Sequence, residues 1–204
     1  MKKLVIIGIF AVAMIFTLAA CGKKEQAKDS QNVKSESEIS GKHHAVITVK
    51  DLGDIEVELD ADAAPVSVEN FMELANEGFY DGLTFHRIID GFMIQGGDPS
   101  GNGTGGSGKN IIGEFKNNGI DNPIKHTRGT LSMARSRDNN SASSQFFIMH
   151  EDAPHLDGDY AAFGQVTSGM DIVDKICADT KVQDSNGTVL PENQPVIEKI
   201  IVLD

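Results

Sequence analysis

From Ala45 onward the chain carries two hydrophobic periods. In "AVITVK" (45–50) and "DIEVEL" (54–59) apolar and polar positions alternate, with Leu52 and Gly53 between the runs, which predicts a hairpin of two half-buried strands. In "APVSVENFMELANEGFY" (64–80) the period lengthens: Val68, Phe71, Met72 and Ala75 recur at helical spacing, Pro65 suits a first helical position and Gly78 can end the helix. Short apolar runs then follow between turn residues: "TFHRII", "FMIQ", "GTLSMA", "QFFIM", "AAFGQV" and, near the end, "VIEKIIVL". "GMDIVDKICAD" (169–179) reads as a second amphipathic helix, with Ile172, Val173 and Ile176 on one side. Roughly eight short strands and two helices without βαβ alternation predict a mainly β fold, an antiparallel sheet closed on itself. Closure would also remove exposed strand edges.

The N-terminus has a different pattern. Lys2 and Lys3 precede an uncharged apolar run from Leu4 to Ala20, and Cys21 follows. This is the layout of an export signal. "LAAC" (18–21) resembles the lipobox of bacterial lipoproteins, which implies that Cys21 becomes the lipidated first residue of the mature chain. The other reading is an uncleaved transmembrane anchor, because the apolar run falls just short of the ~18 residues at which a spanning helix becomes the default. Both readings put the remainder outside the cytoplasm, with the extracytoplasmic face of the cell membrane as the expected location. A two-chain lipid anchor suffices for stable attachment, where one chain would be marginal. Residues 22–42 are polar, mixed in charge and nearly free of large apolar groups. Such a segment cannot offset its ordering entropy by burial, so it reads as a disordered tether. The expected organisation is a signal peptide over 1–20, the lipidated cysteine and tether over 21–43, and one folded domain over 44–204.

Charge and cysteine content narrow the partners. Removing residues 1–20 takes away Lys2 and Lys3 and moves the formal net charge from −12 to −14. A surface that acidic disfavours nucleic acid and anionic membrane as partners, so membrane attachment would have to come from the lipid. Lipidation would consume one of the two cysteines, leaving Cys177 without a disulfide partner. About 160 residues are enough to bury an adequate core without a crosslink.

The familiar reactive motifs are missing or incomplete. "GNGTGGSGKN" (101–110) nearly spells a phosphate loop, but Asn110 stands where the magnesium-binding hydroxyl belongs, and "IIGEFKNNGIDNP" after it has no helical period. It reads as a structured surface loop. His43 and His44 read as solvated linker residues, while His126, His150 and His155 are scattered without zinc-ligand spacing, so no metal and no cofactor are expected. No G-x-S-x-G elbow occurs, and "SASSQ" (141–145) reads as a turn.

One stretch is left, "FHRIIDGFMIQGGD" (85–98). It sets Arg87 and Gln95 among Phe85, Ile88, Ile89, Phe92, Met93 and Ile94, with no nucleophile or metal cluster beside it. Together with "GTGG", "HTRGTLSMAR", "SSQFFI", "HLDGDYAAFGQV" and "GMDIVDKI" in this order, it resembles the cyclophilin family of peptidyl-prolyl cis-trans isomerases, from about Ala45 to the C-terminus. The resemblance implies an eight-stranded antiparallel barrel capped by two helices. Arg87 falls on the family's catalytic arginine, Phe92, Met93 and Phe147 on the pocket for the substrate proline ring, and Gln95 on the glutamine that binds substrate backbone. Ala134 and Arg135 fall where the family's backbone grips the peptide. Leu156 falls on the pocket wall and Tyr160 at the pocket edge. His155 stands in place of the tryptophan and Tyr160 in place of the histidine of the best-known eukaryotic members, and Arg135 stands where many relatives carry asparagine. The implied partners are Pro-containing segments of exported proteins during folding, met by a monomer. A membrane-tethered holdase or scaffold that grips such segments with little turnover is the alternative.

Overall fold

The computed structural model describes residues 33–34 and 37–204. The predicted signal peptide, Cys21 and most of the predicted tether lie outside the described residues. None of the described helices is long and apolar enough to cross a membrane.

The described chain begins with a short strand, β1 (Val33–Lys34). The predicted hairpin follows as β2 (Lys42–Val49) and β3 (Gly53–Asp60), so β2 starts two residues ahead of the expected domain boundary. Ala45, Ile47 and Val49 of β2 are buried, as are Ile55, Val57 and Leu59 of β3. The register pairs Ala45 with Val57 and Ile47 with Ile55, which brings both apolar sets to one face, as the two-residue period requires.

Helix α1 (Pro65–Asn76) buries Val66, Val68, Phe71, Leu74 and Ala75, while Met72 is only half-buried. It ends at Gly78, whose φ of +69° turns the chain as expected of a terminating glycine. Its N-terminus has no local side-chain cap. The carboxylate of Glu114, distant in sequence, accepts hydrogen bonds from the Val66 and Ser67 amides at 2.9 and 2.8 Å and from the Ser67 hydroxyl at 2.6 Å. Three donors are thereby satisfied by one buried acid.

The remaining elements are β4 (Phe85–Ile89), β5 (Met93–Gly96), β6 (Asn110–Ile111), β7 (Thr130–Met133), β8 (Phe146–Met149), β9 (Ala162–Ser168), α2 (Met170–Asp179) and β10 (Ile197–Val202). β1 pairs with β6 in a separate two-stranded parallel sheet. The other eight strands form one antiparallel sheet in the order β10-β2-β3-β9-β7-β8-β5-β4. Phe71, Tyr80, Phe146 and Phe163 meet ring to ring at the centre of the core, with centroids 5.3–5.6 Å apart.

That sheet is an open half-barrel, not the closed barrel expected from the strand count. Its end strands β10 and β4 share no ladder and meet only at an isolated bridge, Thr84 with Val196, just ahead of both. The reason lies on the free edge of β4, which residues 187–189 occupy. The Ile88 amide donates to the Gly187 carbonyl at 2.8 Å, the Val189 amide donates to the His86 carbonyl at 3.0 Å, and Arg87 bridges Thr188. The edge is covered, but by a loop segment and not by β10. Only glycine fits at position 187, where φ is +80° and a Cβ would lie 2.3 Å from the Ile88 carbonyl oxygen.

The Gly-rich segment 101–108 is a loop followed by β6 and not by a helix. Asp98 organises it, accepting from the amides of Ser100, Asn102 and Gly103 at 2.6–3.0 Å. Those amides hold its carboxyl below the ordinary carboxylate range against the opposing effect of burial. A Cβ on Gly105 would fall 2.1 Å from Asp98 Oδ1, so this glycine lets the loop close over its anchor.

Candidate active site

The β4–β5 hairpin turns at Asp90–Gly91, where Gly91 has a φ of +74° and the Phe92 amide donates to the Ile89 carbonyl at 3.0 Å. The register places Arg87 opposite Gln95. Across the next pair, Gln95 faces Phe147 and Met93 faces Met149. Because strand side chains alternate, Met93, Gln95 and Phe147 share one face while Ile94, Phe146 and Ile148 enter the main core. Met93, Phe147, Met149, Ala153 and Leu156 form a second, smaller apolar cluster, against which Phe92, Ala134 and Tyr160 pack.

A cavity of about 200 Å³ opens on this face. Phe92, Met93, Phe147 and Leu156 supply its apolar lining, Arg87 and Gln95 one polar side, and Ala134, Arg135 and Tyr160 the remainder. Nine of the ten expected binding and catalytic residues are thus brought together. The tenth, His155, is not among the lining residues; it sits in the turn Pro154–Leu156 with its ring stacked on Phe92 at 5.7 Å between centroids. Cys21 is outside the described residues. A second cavity of about 210 Å³ shares Gln95, Ala134 and Arg135 and is bordered by Gly103, Gly105 and Ser143, so the groove continues along the Gly-rich loop.

Arg87 is half-buried and held at both ends. Its Nε donates to the Asn186 carbonyl at 2.9 Å and its Nη1 to Gln95 Oε1 at 3.2 Å. Gln95 Nε2 in turn donates to Gln145 Oε1 at 2.9 Å, and Gln145 Nε2 to the Gly105 carbonyl at 2.8 Å. The relay fixes both amide orientations and the plane of the guanidinium. Burial draws the Arg87 pKa down, and Tyr160 and Asp184 oppose that shift. A guanidinium nevertheless remains charged at any physiological pH.

Arg135 is engaged through its side chain as well as placed at the groove. Its guanidinium carbon lies 4.7 Å from the Tyr160 ring centroid and 5.1 Å from that of Phe115, and Nε donates to the Asp159 carbonyl at 2.9 Å. Behind Phe147 sits His126, stacked on it at 6.0 Å. Its Nδ1 lies 3.1 Å from Asp157 Oδ1 and its Nε2 3.0 Å from Ser132 Oγ. Burial pushes the His126 pKa down, partly offset by Asp157. Sequence reading missed Gln145, Asn186 and His126. Asn186 acts through a backbone carbonyl, which leaves no sequence motif; Gln145 and His126 stand in "SSQFFI" and "HTRGTLSMAR", but their side-chain partners are set only by the fold.

The side chains lining the first cavity include no carboxylate, thiol or imidazole. The arrangement can hold an apolar ring, hydrogen-bond peptide backbone beside it and place a fixed cation over the junction.

The comparisons agree with this geometry. The family model described as cyclophilin type peptidyl-prolyl cis-trans isomerase/CLD matches residues 44–202. Similar proteins include peptidyl-prolyl cis-trans isomerase B of Bacillus subtilis (strain 168), 49% identical over 144 residues that cover 71% of this chain and 92% of that protein. A peptidyl-prolyl cis-trans isomerase of Helicobacter pylori (strain ATCC 700392 / 26695) is 49% identical over 136 residues, covering 65% of this chain and 80% of that one. Among solved structures, a Cryptosporidium parvum cyclophilin type peptidyl-prolyl cis-trans isomerase superposes with a TM-score of 0.70 at 30% identity, covering 80% of this chain and 99% of that chain. The same parasite protein was also solved in the presence of the dipeptide Ala-Pro, with a TM-score of 0.69 at 31% identity and coverage of 79% and 99%.

Proposed function

The chain belongs to the cyclophilin-type peptidyl-prolyl cis-trans isomerases, and we propose that it speeds X-Pro rotation in exported proteins by stabilising the twisted amide with Arg87. The barrier to that rotation, about 18–20 kcal/mol, arises from amide resonance. Its removal needs neither proton transfer nor a nucleophile, in keeping with a lining that offers neither. As the amide twists, conjugation is lost and the prolyl nitrogen regains a lone pair. A rigid donor fork beside that nitrogen stabilises the twisted form over both planar ground states, and such selective stabilisation raises turnover.

Phe92, Met93 and Phe147 receive the proline ring and exclude water, which strengthens hydrogen bonds at the reacting amide. Gln95 and the chain at Ala134 and Arg135 hold the flanking peptide, with His155, Leu156 and Tyr160 bounding the ring pocket. The Ala-Pro present with the parasite relative has the X-Pro form that this reading requires. The observation that carries this reading is the tethering of Arg87 between the Asn186 carbonyl and Gln95 at the edge of an apolar cavity.

The exported setting rests on the basic start, the apolar run and "LAAC" at 18–21, from which Cys21 would carry the lipid and the polar segment between it and β1 would act as a tether. Uncatalysed X-Pro steps take tens to hundreds of seconds, slow enough to limit folding outside the cell.

The test is isomerisation kinetics of the full chain on a short Pro-containing peptide, with peptide affinity measured separately. Arg87→Ala should lower turnover about a hundredfold or more, on the order of 3 kcal/mol of transition-state stabilisation, while affinity stays near that of the parent. Arg87→Lys should recover little, because an ammonium lacks the planar fork. Wild-type turnover in Arg87→Ala would remove Arg87 from the mechanism and favour a holdase.

A further inference from the structure

A cluster outside the peptide groove joins three parts of the fold. Asp90 lies in the β4–β5 turn, His150 follows β8, and Cys177 is on the buried side of α2. One ligand atom from each lies within 4.8 Å of the other two. His150 Nδ1 is 3.4 Å from Asp90 Oδ1 and accepts the Gly91 amide proton at 2.9 Å, so this nitrogen presents its lone pair. The opposite nitrogen, Nε2, is 3.1 Å from Asp174 Oδ1, and Arg128 holds the Asp174 carboxylate through two hydrogen bonds of 2.7 and 2.8 Å. A carboxylate behind an imidazole sets the tautomer and orients the far nitrogen, the arrangement that accompanies metal-bound histidines.

We propose that Asp90, His150 and Cys177 form a binding site for a thiophilic divalent cation of the zinc class, with water at a fourth position on the exposed Asp90 side. Thiolate sulfur, imidazole nitrogen and carboxylate oxygen are the donors that such ions take in tetrahedral sites, and three protein ligands leave one position open. The charges balance: an ionised Cys177 and Asp90 together offset the two positive charges of the ion. On binding, the Cys177 thiol loses its proton to solvent and a sulfur–metal bond forms, so one proton is released for each ion taken up. In the empty site, burial and the neighbouring Asp90 and Asp174 push the thiol up to about 12, and an adjacent dication reverses that electrostatic penalty. His150 exchanges the Gly91 amide for the metal. Gly91 is exposed in its turn, so water can replace the lost partner. An occupied site would brace α2 against the hairpin that carries Arg87 and Phe92.

The experiment uses the full chain carrying Cys21→Ser, which leaves Cys177 as the only thiol. Titration with cobalt(II) should produce thiolate-to-cobalt absorption in the near ultraviolet that saturates at one equivalent and disappears when zinc(II) is added. Cys177→Ser should abolish the absorption, and His150→Gln and Asp90→Asn should each weaken zinc affinity at least tenfold in a competition titration. Absence of the charge-transfer absorption in the parent overturns the proposal, as does unchanged zinc affinity in a folded Cys177→Ser variant. Should Cys177→Ser fail to fold, Asp90→Asn decides at an exposed position, and an affinity equal to the parent's overturns the site.

Discussion

His126 shows how one residue can support the groove without entering it. The ring packs on Phe147 and is held by Asp157 and Ser132, so protonation would place a charge behind the apolar lining of the cavity. Burial depresses its pKa below the ordinary 6.5, and the folded chain therefore favours the neutral ring. That contribution is fully present above the unfolded value near 6.5 and is lost as pH falls through the lower folded value. Urea midpoints should decline between pH 7 and pH 5, and His126→Gln should flatten the decline; an equal slope in the two proteins would show that other groups cause it. At this scale the candidate site was legible where its residues sit within one hairpin: Arg87, Phe92, Met93 and Gln95 all fall in "FHRIIDGFMIQGGD". The contacts of Gln145 and Asn186 were not, because Gln145 reaches Gln95 from 50 positions away and Asn186 reaches Arg87 from 99. Nor was the side-chain role of Arg135, since Tyr160 and Phe115 become its neighbours only when the loops fold over it.

Among the elements, α1 depends on an acid that its own sequence does not supply. Pro65 starts it and Gly78 stops it, both readable locally, but the residue at its N-cap is Ala64, which has no side-chain oxygen. Glu114 takes over that task from a neighbouring loop. Glu114→Ala should cost about 1–2 kcal/mol, at the upper part of the range for a lost cap, because the Ser67 hydroxyl is buried and loses its acceptor as well. Equilibrium denaturation measures this, and a cost within 0.3 kcal/mol of zero on that scale would mean that water replaces the carboxylate. Strand existence was readable from the alternation in 45–59 and from the short apolar runs. The two-residue strands β1 and β6 were not, being too short to show a period.

The whole molecule combines a folded isomerase domain with an N-terminal region whose role rests on sequence. Cys21→Ser should leave the chain unprocessed or released from the membrane while isomerase activity persists; unchanged cleavage, lipid labelling and membrane retention would rule out the lipoprotein assignment. Eight antiparallel strands with two helices were legible in the order of the hydrophobic periods. The open sheet was not, because closure depends on which segment takes the last edge, and "DSNGTV" (184–189) carries no strand period that marks it as the occupant. Its position has a kinetic meaning. Gly187 and Val189 zip the edge of β4, and Asn186 beside them holds Arg87 Nε, so one local opening would both unzip the sheet margin and free the guanidinium at its Nε end, leaving it held by Gln95 alone. Sub-global openings of this kind cost less than full unfolding. Amide exchange at Ile88 and Val189 should therefore be faster than at Ile47 and Ile148 in the sheet interior, and on warming, turnover should fail together with protection at the margin while the interior amides remain protected. The margin, and not the core, would then set the upper working temperature of the enzyme.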